Sequence, residues 1–258
     1  MDVAEHLDYL ASDGPLLAHA AARAGWDAPV PGTAWNVREL VTHVGGVRRW
    51  ATEIVRTAAP SGDTSASRAV GAGPPDPDLL EWFHAGHRAL LEALGGAPAD
   101  LDCFAFLPAP SPLAFWARRQ AHETAMHRAD AQAAAGLVPE FDASFAQDGI
   151  AEMLTGFARR RSNAIHTPGQ VLLCPVDEGS SWLITFGGEQ ITGVEGPRVG
   201  VGGVHGFEGG AVGSGSVASV SGISAELYLW LWNRQAKVEI TGDAALVDLW
   251  RTVRVRWS

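Results

Sequence analysis

The feature that most constrains this chain is a change of hydrophobic period near Thr167. Before it, apolar residues recur at helical spacing in long segments broken by proline and glycine. After it, short β-branched and aromatic runs sit between turn residues. Residues 2–24 place Val3, Leu7, Leu10, Leu17 and Ala21 on a helical period, which Gly25 and Pro29-Val30-Pro31-Gly32 interrupt. A second helix is expected from about Asn36 to Ala59, with Asn36 and Glu39 at the spacing of a capping box. Leu40, His43, Val44, Val47, Trp50 and Ile54 share one broad face of it, so His43 points inward. Pro60 to Pro77 reads as a loop. A third helix is expected from Asp78 to Leu94, a fourth from Pro112 to Gly136 and a fifth from about Ser144 to Arg161. Long helices with short or proline-broken connections pack antiparallel, so the first half is expected to be a four-helix bundle.

In the second half, Gln170–Cys174 and Ser181–Phe186 read as strands joined by a hairpin turn over Asp177-Glu178-Gly179-Ser180. Gly187 to Gly215 is crowded with glycine. It contains no GxxxxGK[ST], and no helix with GxGxxG spacing follows a strand, so loose hairpins are expected there instead of a phosphate loop. Ser216–Ser221 reads as a strand, Ala225–Trp232 as an apolar helix, and Lys237–Ile240 as a strand. Asp243 caps a last helix that runs through Trp250. The expected fold class is α+β, with a helical domain over 1–165 and a smaller α/β domain over 166–258.

The totals exclude several functions. A formal net charge of -10 and the lack of a basic stripe argue against a nucleic-acid binder. The short runs Arg48-Arg49, Arg118-Arg119 and Arg159-Arg160-Arg161 are expected on solvated helix faces. Only Cys103 and Cys174 are present, with no CxxC, so neither a thiolate zinc finger nor a disulfide framework is available. Acidic residues occupy the N-terminal stretch where a signal peptide would be basic, and no apolar run is long enough to span a bilayer. A cytoplasmic protein with no membrane partner is expected, as a monomer or homodimer.

Within the fourth helix, Glu123 and His127 are four residues apart and share a face one turn apart, where a carboxylate and an imidazole can grip one divalent cation. The blander alternative is an ordinary side-chain contact at that spacing. An ionisable pair on an alanine-rich, inward-facing helix needs compensation for burial. His43, inward on a facing helix, is the natural third ligand. Two imidazoles, one carboxylate and an open fourth position make the pattern of catalytic zinc. Rival placements are weaker. Glu81 and His84 give an E-x2-H spacing but lack the second copy a di-iron bundle needs, and His84 and His87 are expected to be partly exposed. His122 is expected at the surface or behind the ligands, and His6, His19, His166 and His205 have no partner pattern. No GxSxG supports a serine hydrolase.

Two stretches carry a family resemblance. Trp35-Asn36-Val37-Arg38-Glu39-Leu40-Val41-Thr42-His43 resembles the W-x-V-x-x-L-x-x-H helix of the mycothiol-dependent maleylpyruvate isomerase family, within the DinB-like metalloenzymes. His122-Glu123-Thr124-Ala125-Met126-His127-Arg128-Ala129-Asp130-Ala131 is similar to its second signature, HE-x3-HR-x-DA. Val176-Asp177 with Trp182, Gly222 through Trp232-Asn233-Arg234, and Thr241-Gly242-Asp243 extend the likeness more diffusely. The resemblance implies a DinB-like four-helix bundle followed by an α/β domain related to sterol carrier proteins. It implies zinc held by His43, Glu123 and His127, and mycothiol as the thiol co-substrate. It also implies an arginine for an anionic substrate: Arg234 first, then Arg49 and Arg128 for the cofactor or substrate anion.

The activity expected is cis–trans isomerisation of an unsaturated acid by thiolate addition and elimination. A mycothiol S-transferase acting on an electrophile is the first alternative. A non-catalytic metal- or ligand-binding module is the second, and metal-assisted hydrolysis without a thiol is the third.

Overall fold

The structure, a computed structural model, describes residues 1–200 and 216–255. It divides into two compact units, Met1–Pro139 and Glu140–Ser258. No described helix is long and apolar enough to cross a membrane.

The first unit is four helices: α1 (Val3–Ala24), α2 (Val37–Thr57), α3 (Asp76–Gly95) and α4 (Pro112–Ala134). α1 lies along α4 and α2 along α3, and α2 also packs on α4. The chain's own chemistry sets their ends. Asp2 and Glu5 form a capping box at the start of α1, and Asn36 and Glu39 form the one expected at α2. Ser111 Oγ accepts from the Ala114 amide at 3.1 Å, with Pro112 inside the first turn of α4. Gly136, at φ +70°, takes the left-handed conformation that ends this helix. Leu17, Leu40, Val41, Val44, Leu79 and Phe83 are buried together as the core of the bundle.

The second unit begins with α5 (Ala143–Glu152). The division therefore falls between 139 and 140 and not near 165, because α5 packs on α6 (Ser224–Leu231). At Gly149 a Cβ would lie 2.3 Å from Tyr228 Cε2, so the two helices touch through that glycine. The single helix expected over Ser144–Arg161 is interrupted. A π-helical turn, Met153–Phe157, follows α5 and is closed by the Ala158 amide on the Met153 carbonyl.

The strands are β1 (Gly169–Pro175), β2 (Ser181–Phe186), β3 (Thr192–Gly196), β4 (Ser216–Gly222) and β5 (Glu239–Gly242), in the order β3-β2-β1-β4-β5. β1 is central and buried throughout. It pairs parallel to β4, and every other pair is antiparallel. The glycine-crowded stretch supplies β3, in register with β2 at Trp182↔Glu195; the rest of the expected Gly187–Gly215 feature, from 201 to 215, lies outside the described residues. Asp177, in the β1–β2 turn, also reaches α6: its carboxylate accepts from the Ser224 amide at 2.9 Å and the Ser224 hydroxyl at 2.9 Å. α7 (Ala244–Trp250) is capped by Asp243, which accepts from the Ala245 amide.

Candidate metal centre

Two helices build the site. The first amides of α2 are accepted by loop carbonyls, Val37 N–H by Ala28 and Arg38 N–H by Trp26, each at 3.0 Å. This anchors the helix two turns before His43. Trp35, just ahead of the cap, lays its ring 4.8 Å from that of His43 and 5.9 Å from that of His127. α4 brings Glu123 and His127 to the same face.

The three expected ligands converge. Oε1 of Glu123 lies 3.3 Å from Nε2 of His43 and 3.2 Å from Nε2 of His127, and all three donor atoms fall within 4.8 Å of one another. A tetrahedron built on metal bonds of about 2.0–2.1 Å has edges of about 3.3 Å, so two observed spacings match its edges. Glu123 and His127 are buried, and His43 keeps 20% side-chain exposure, so the site has one open side. Two neutral imidazole nitrogens and one carboxylate oxygen form a donor set that suits zinc.

The surroundings tune these groups. Nδ1 of His127 lies 2.9 Å from Oδ2 of Asp130, which holds the ring so that Nε2 faces Glu123. Burial opposes charge on His127, but the Glu123 carboxylate and the Asp130 hydrogen bond outweigh it and raise the imidazole to about 9. Burial likewise opposes ionisation of Glu123. The His127 charge, hydrogen bonds from both imidazoles and the Arg119 guanidinium prevail, holding the carboxyl well below the usual range.

Two of the arginines expected on solvated faces are inside the bundle. Arg119 and Arg48 are each 0% exposed. Arg119 Nη2 lies 3.5 Å from Glu123 Oε2, and Arg48 donates to Thr124 Oγ1 at 3.4 Å while stacking over the Phe83 ring. Their positions come from helix crossings, which a short basic run does not reveal. Arg49 is half-buried and ties α2 to α3, donating to the Gly45 and Trp82 carbonyls and stacking on the Trp82 ring at 3.8 Å. Arg128 pairs with Asp13 of α1 at 3.1 Å. Both are engaged within the bundle. Arg234 belongs to the second unit, where its Nη1 donates to the Trp232 carbonyl at 2.9 Å and its amide closes the end of α6 on Leu229.

Among the other histidines, His87 departs from expectation. His87 is buried, against the partial exposure expected of it, because Gly14 of α1 leaves room for its ring. His84 is half-buried, beside the Phe83 ring. His122 is fully buried, and its ring meets that of His6 edge-on at 6.0 Å. His205 lies outside the described residues.

A model of the mycothiol maleylpyruvate isomerase N-terminal domain matches residues 9–132, and one of the MDMPI C-terminal domain matches residues 144–249. The chain belongs to this isomerase family. No curated protein matches its sequence. A crystal structure of the mycothiol-dependent maleylpyruvate isomerase shares the fold with a TM-score of 0.64 at 13% identity, over 95% of this chain and 94% of that one. A histidine-to-alanine mutant of such an isomerase aligns with a TM-score of 0.58 at 12% identity, over 89% and 88% of the two chains. At this distance the likeness is one of fold, and the family membership comes from the two domain matches.

The sequence motifs give no role to Asp130, Arg119 or Trp35, though spacing offers a signal for two of them. Arg119 precedes Glu123 by one helical turn, and Asp130 follows His127 by three residues, so each shares a face with its partner.

Proposed function

We propose that this family member is a zinc-dependent, mycothiol-using isomerase of an unsaturated acid, with His43, Glu123 and His127 as the protein ligands. The observation that carries the reading is the convergence of one carboxylate oxygen on two imidazole nitrogens at 3.3 and 3.2 Å, buried but open on one side. A zinc ion bound there supplies a Lewis acid that lets a thiol ionise at neutral pH. The chain's own residues do the rest. Asp130 fixes the His127 tautomer, Trp35 walls the two imidazoles, and the two buried guanidiniums of Arg48 and Arg119 bias the region toward anions. In the reaction, the thiolate sulfur adds to the cis double bond, the resulting single bond rotates, and loss of the thiolate restores a trans double bond. Arg234 is proposed as the carboxylate partner of the substrate, a role that rests on the resemblance of its position in the sequence.

The test combines metal analysis of the purified protein with an activity screen, with and without mycothiol, on cis-enoyl acids and on electrophiles that accept a thiol. Stoichiometric zinc, thiol-dependent isomerisation and loss of both in His43→Ala support the reading. Conjugates without isomerisation would make the protein an S-transferase, and turnover without any thiol would make it a hydrolase. Metal-linked stability with no turnover would leave a binding module.

A further inference from the structure

The Glu123 carboxylate is divided between two environments. Its Oε1 faces the two imidazoles, and its Oε2 is turned back along α4 to Nη2 of Arg119 at 3.5 Å. Arg119 is itself 0% exposed, one helical turn before Glu123. A guanidinium this deep costs several kcal/mol unless a counter-charge is held close, and the outer oxygen of Glu123 is such a counter-charge. The terminal torsion of a glutamate is soft, so an unanchored carboxylate can swing and offer a cation both oxygens. Chelation by both would fill the position that a reacting ligand needs.

We propose that Arg119 is a positioning residue that holds Oε2 of Glu123 away from the cation, so that the carboxylate binds through Oε1 alone and a coordination position stays open for an anionic sulfur. The inference rests on the assignment of the triad as metal ligands. Nothing about the family's signature requires it, since Arg119 lies outside both motifs. The buried guanidinium also leaves the loaded site net positive, which favours an anion over neutral water as the exogenous ligand. Arg48, hydrogen-bonded to Thr124 beside Glu123 in the chain, adds to the same bias.

Cobalt(II) loading of the full-length protein tests this, with 2-mercaptoethanol as the probe, because a sulfur that enters the open position gives the ion an intense near-ultraviolet thiolate-to-cobalt band. Arg119→Met is expected to hold cobalt at least as tightly as wild type and to need about tenfold more thiol to develop that band, because the second oxygen of Glu123 occupies the position the sulfur would take. Arg119→Gln, which keeps the position polar should the methionine variant not fold, is expected to change the thiol titration in the same direction. Arg119→Lys, which retains a cation within reach of Oε2, is expected to restore most of the wild-type thiol titration. An unchanged thiol titration in Arg119→Met and Arg119→Gln would overturn the proposal. So would a fall in cobalt affinity, which is the signature of a carboxylate that has lost its orientation without chelating. His43→Ala separates the two levels. If wild type binds no cobalt, or His43→Ala binds it equally well, the triad reading itself fails. Intact wild-type binding, lost in His43→Ala, with a thiol titration indifferent to Arg119, removes only the role of Arg119.

Discussion

Asp130 Oδ2 sits 2.9 Å from Nδ1 of His127, on the side of the ring opposite the nitrogen that faces Glu123. The two contacts divide the imidazole between them, so the ring cannot turn without losing one. Asp130 lies three residues beyond His127 on α4 and is itself buried, which makes this contact a built feature of the helix.

Asp130→Ala is expected to weaken zinc affinity by about tenfold to a hundredfold while leaving the bundle folded. Competition with a chromophoric chelator measures it, and far-ultraviolet circular dichroism checks the helices. Equal affinity in the variant would show that the ring is oriented by packing against Trp35 instead.

Metal binding and metal-free stability should respond to pH with opposite signs. His127 is raised from 6.5 to about 9, so in the metal-free protein its ion pairs contribute stability that is full below pH 6.5 and is lost as pH rises through 9. Zinc needs Nε2 unprotonated, so apparent zinc affinity should rise by about tenfold per pH unit across the same window. Thermal melts with and without zinc, from pH 6.5 to 9, should therefore diverge. Parallel curves would show that His127 is not the titrating ligand.

His87 gives an acid-side prediction. Burial first, then the neighbouring Arg48 charge, push its imidazole from 6.5 down to about 4. A depressed folded value means that stability is full above 6.5 and falls as pH drops toward 4, because the unfolded chain takes up the proton first. The loss is expected to reach roughly 3 kcal/mol. Urea unfolding across that range should show it in wild type, with a flatter profile in His87→Leu.

Gly45 of α2 leaves room for the Trp82 ring of α3. A Cβ there would lie 2.1 Å from Cζ3 of Trp82, whose ring is pinned under the Arg49 guanidinium. Gly45→Ala is expected to destabilise the bundle by about 1–3 kcal/mol, outweighing the gain in helix propensity. A double mutant with Trp82→Leu should recover most of that loss in chemical denaturation. If the double mutant recovers nothing, the two residues do not share one contact.

Much of the helical unit was legible in the chain. The helices and several of their caps follow from rules that act within a few residues: Asn36 with Glu39 at α2, Asp243 at α7. The pairing of Glu123 with His127 is equally local, since one turn of helix guarantees it. His43 could be named as the third partner because its helical face is inward. Arg48, Arg119 and His87 show the limit. Their types suggest solvent, and only the crossings of α2, α3 and α4, together with the room left at Gly14, put them inside. The same holds for α5. Its periodicity marks a helix, but the contact of Gly149 with Tyr228 is what assigns it to the second unit.

The sequence by itself determined where the four helices of the first unit and the strands β1, β2 and β4 lie, how α2 and α7 are capped, and that a carboxylate and an imidazole share one face of α4. Those features are set by backbone hydrogen bonding and side-chain period over distances of a few residues. Tertiary structure decided that Oε1 of Glu123 meets both imidazoles while Oε2 meets Arg119, and that the units divide at 139. Contacts between residues as far apart in the chain as His43 and Glu123 depend on how whole helices pack against one another, which no local pattern encodes.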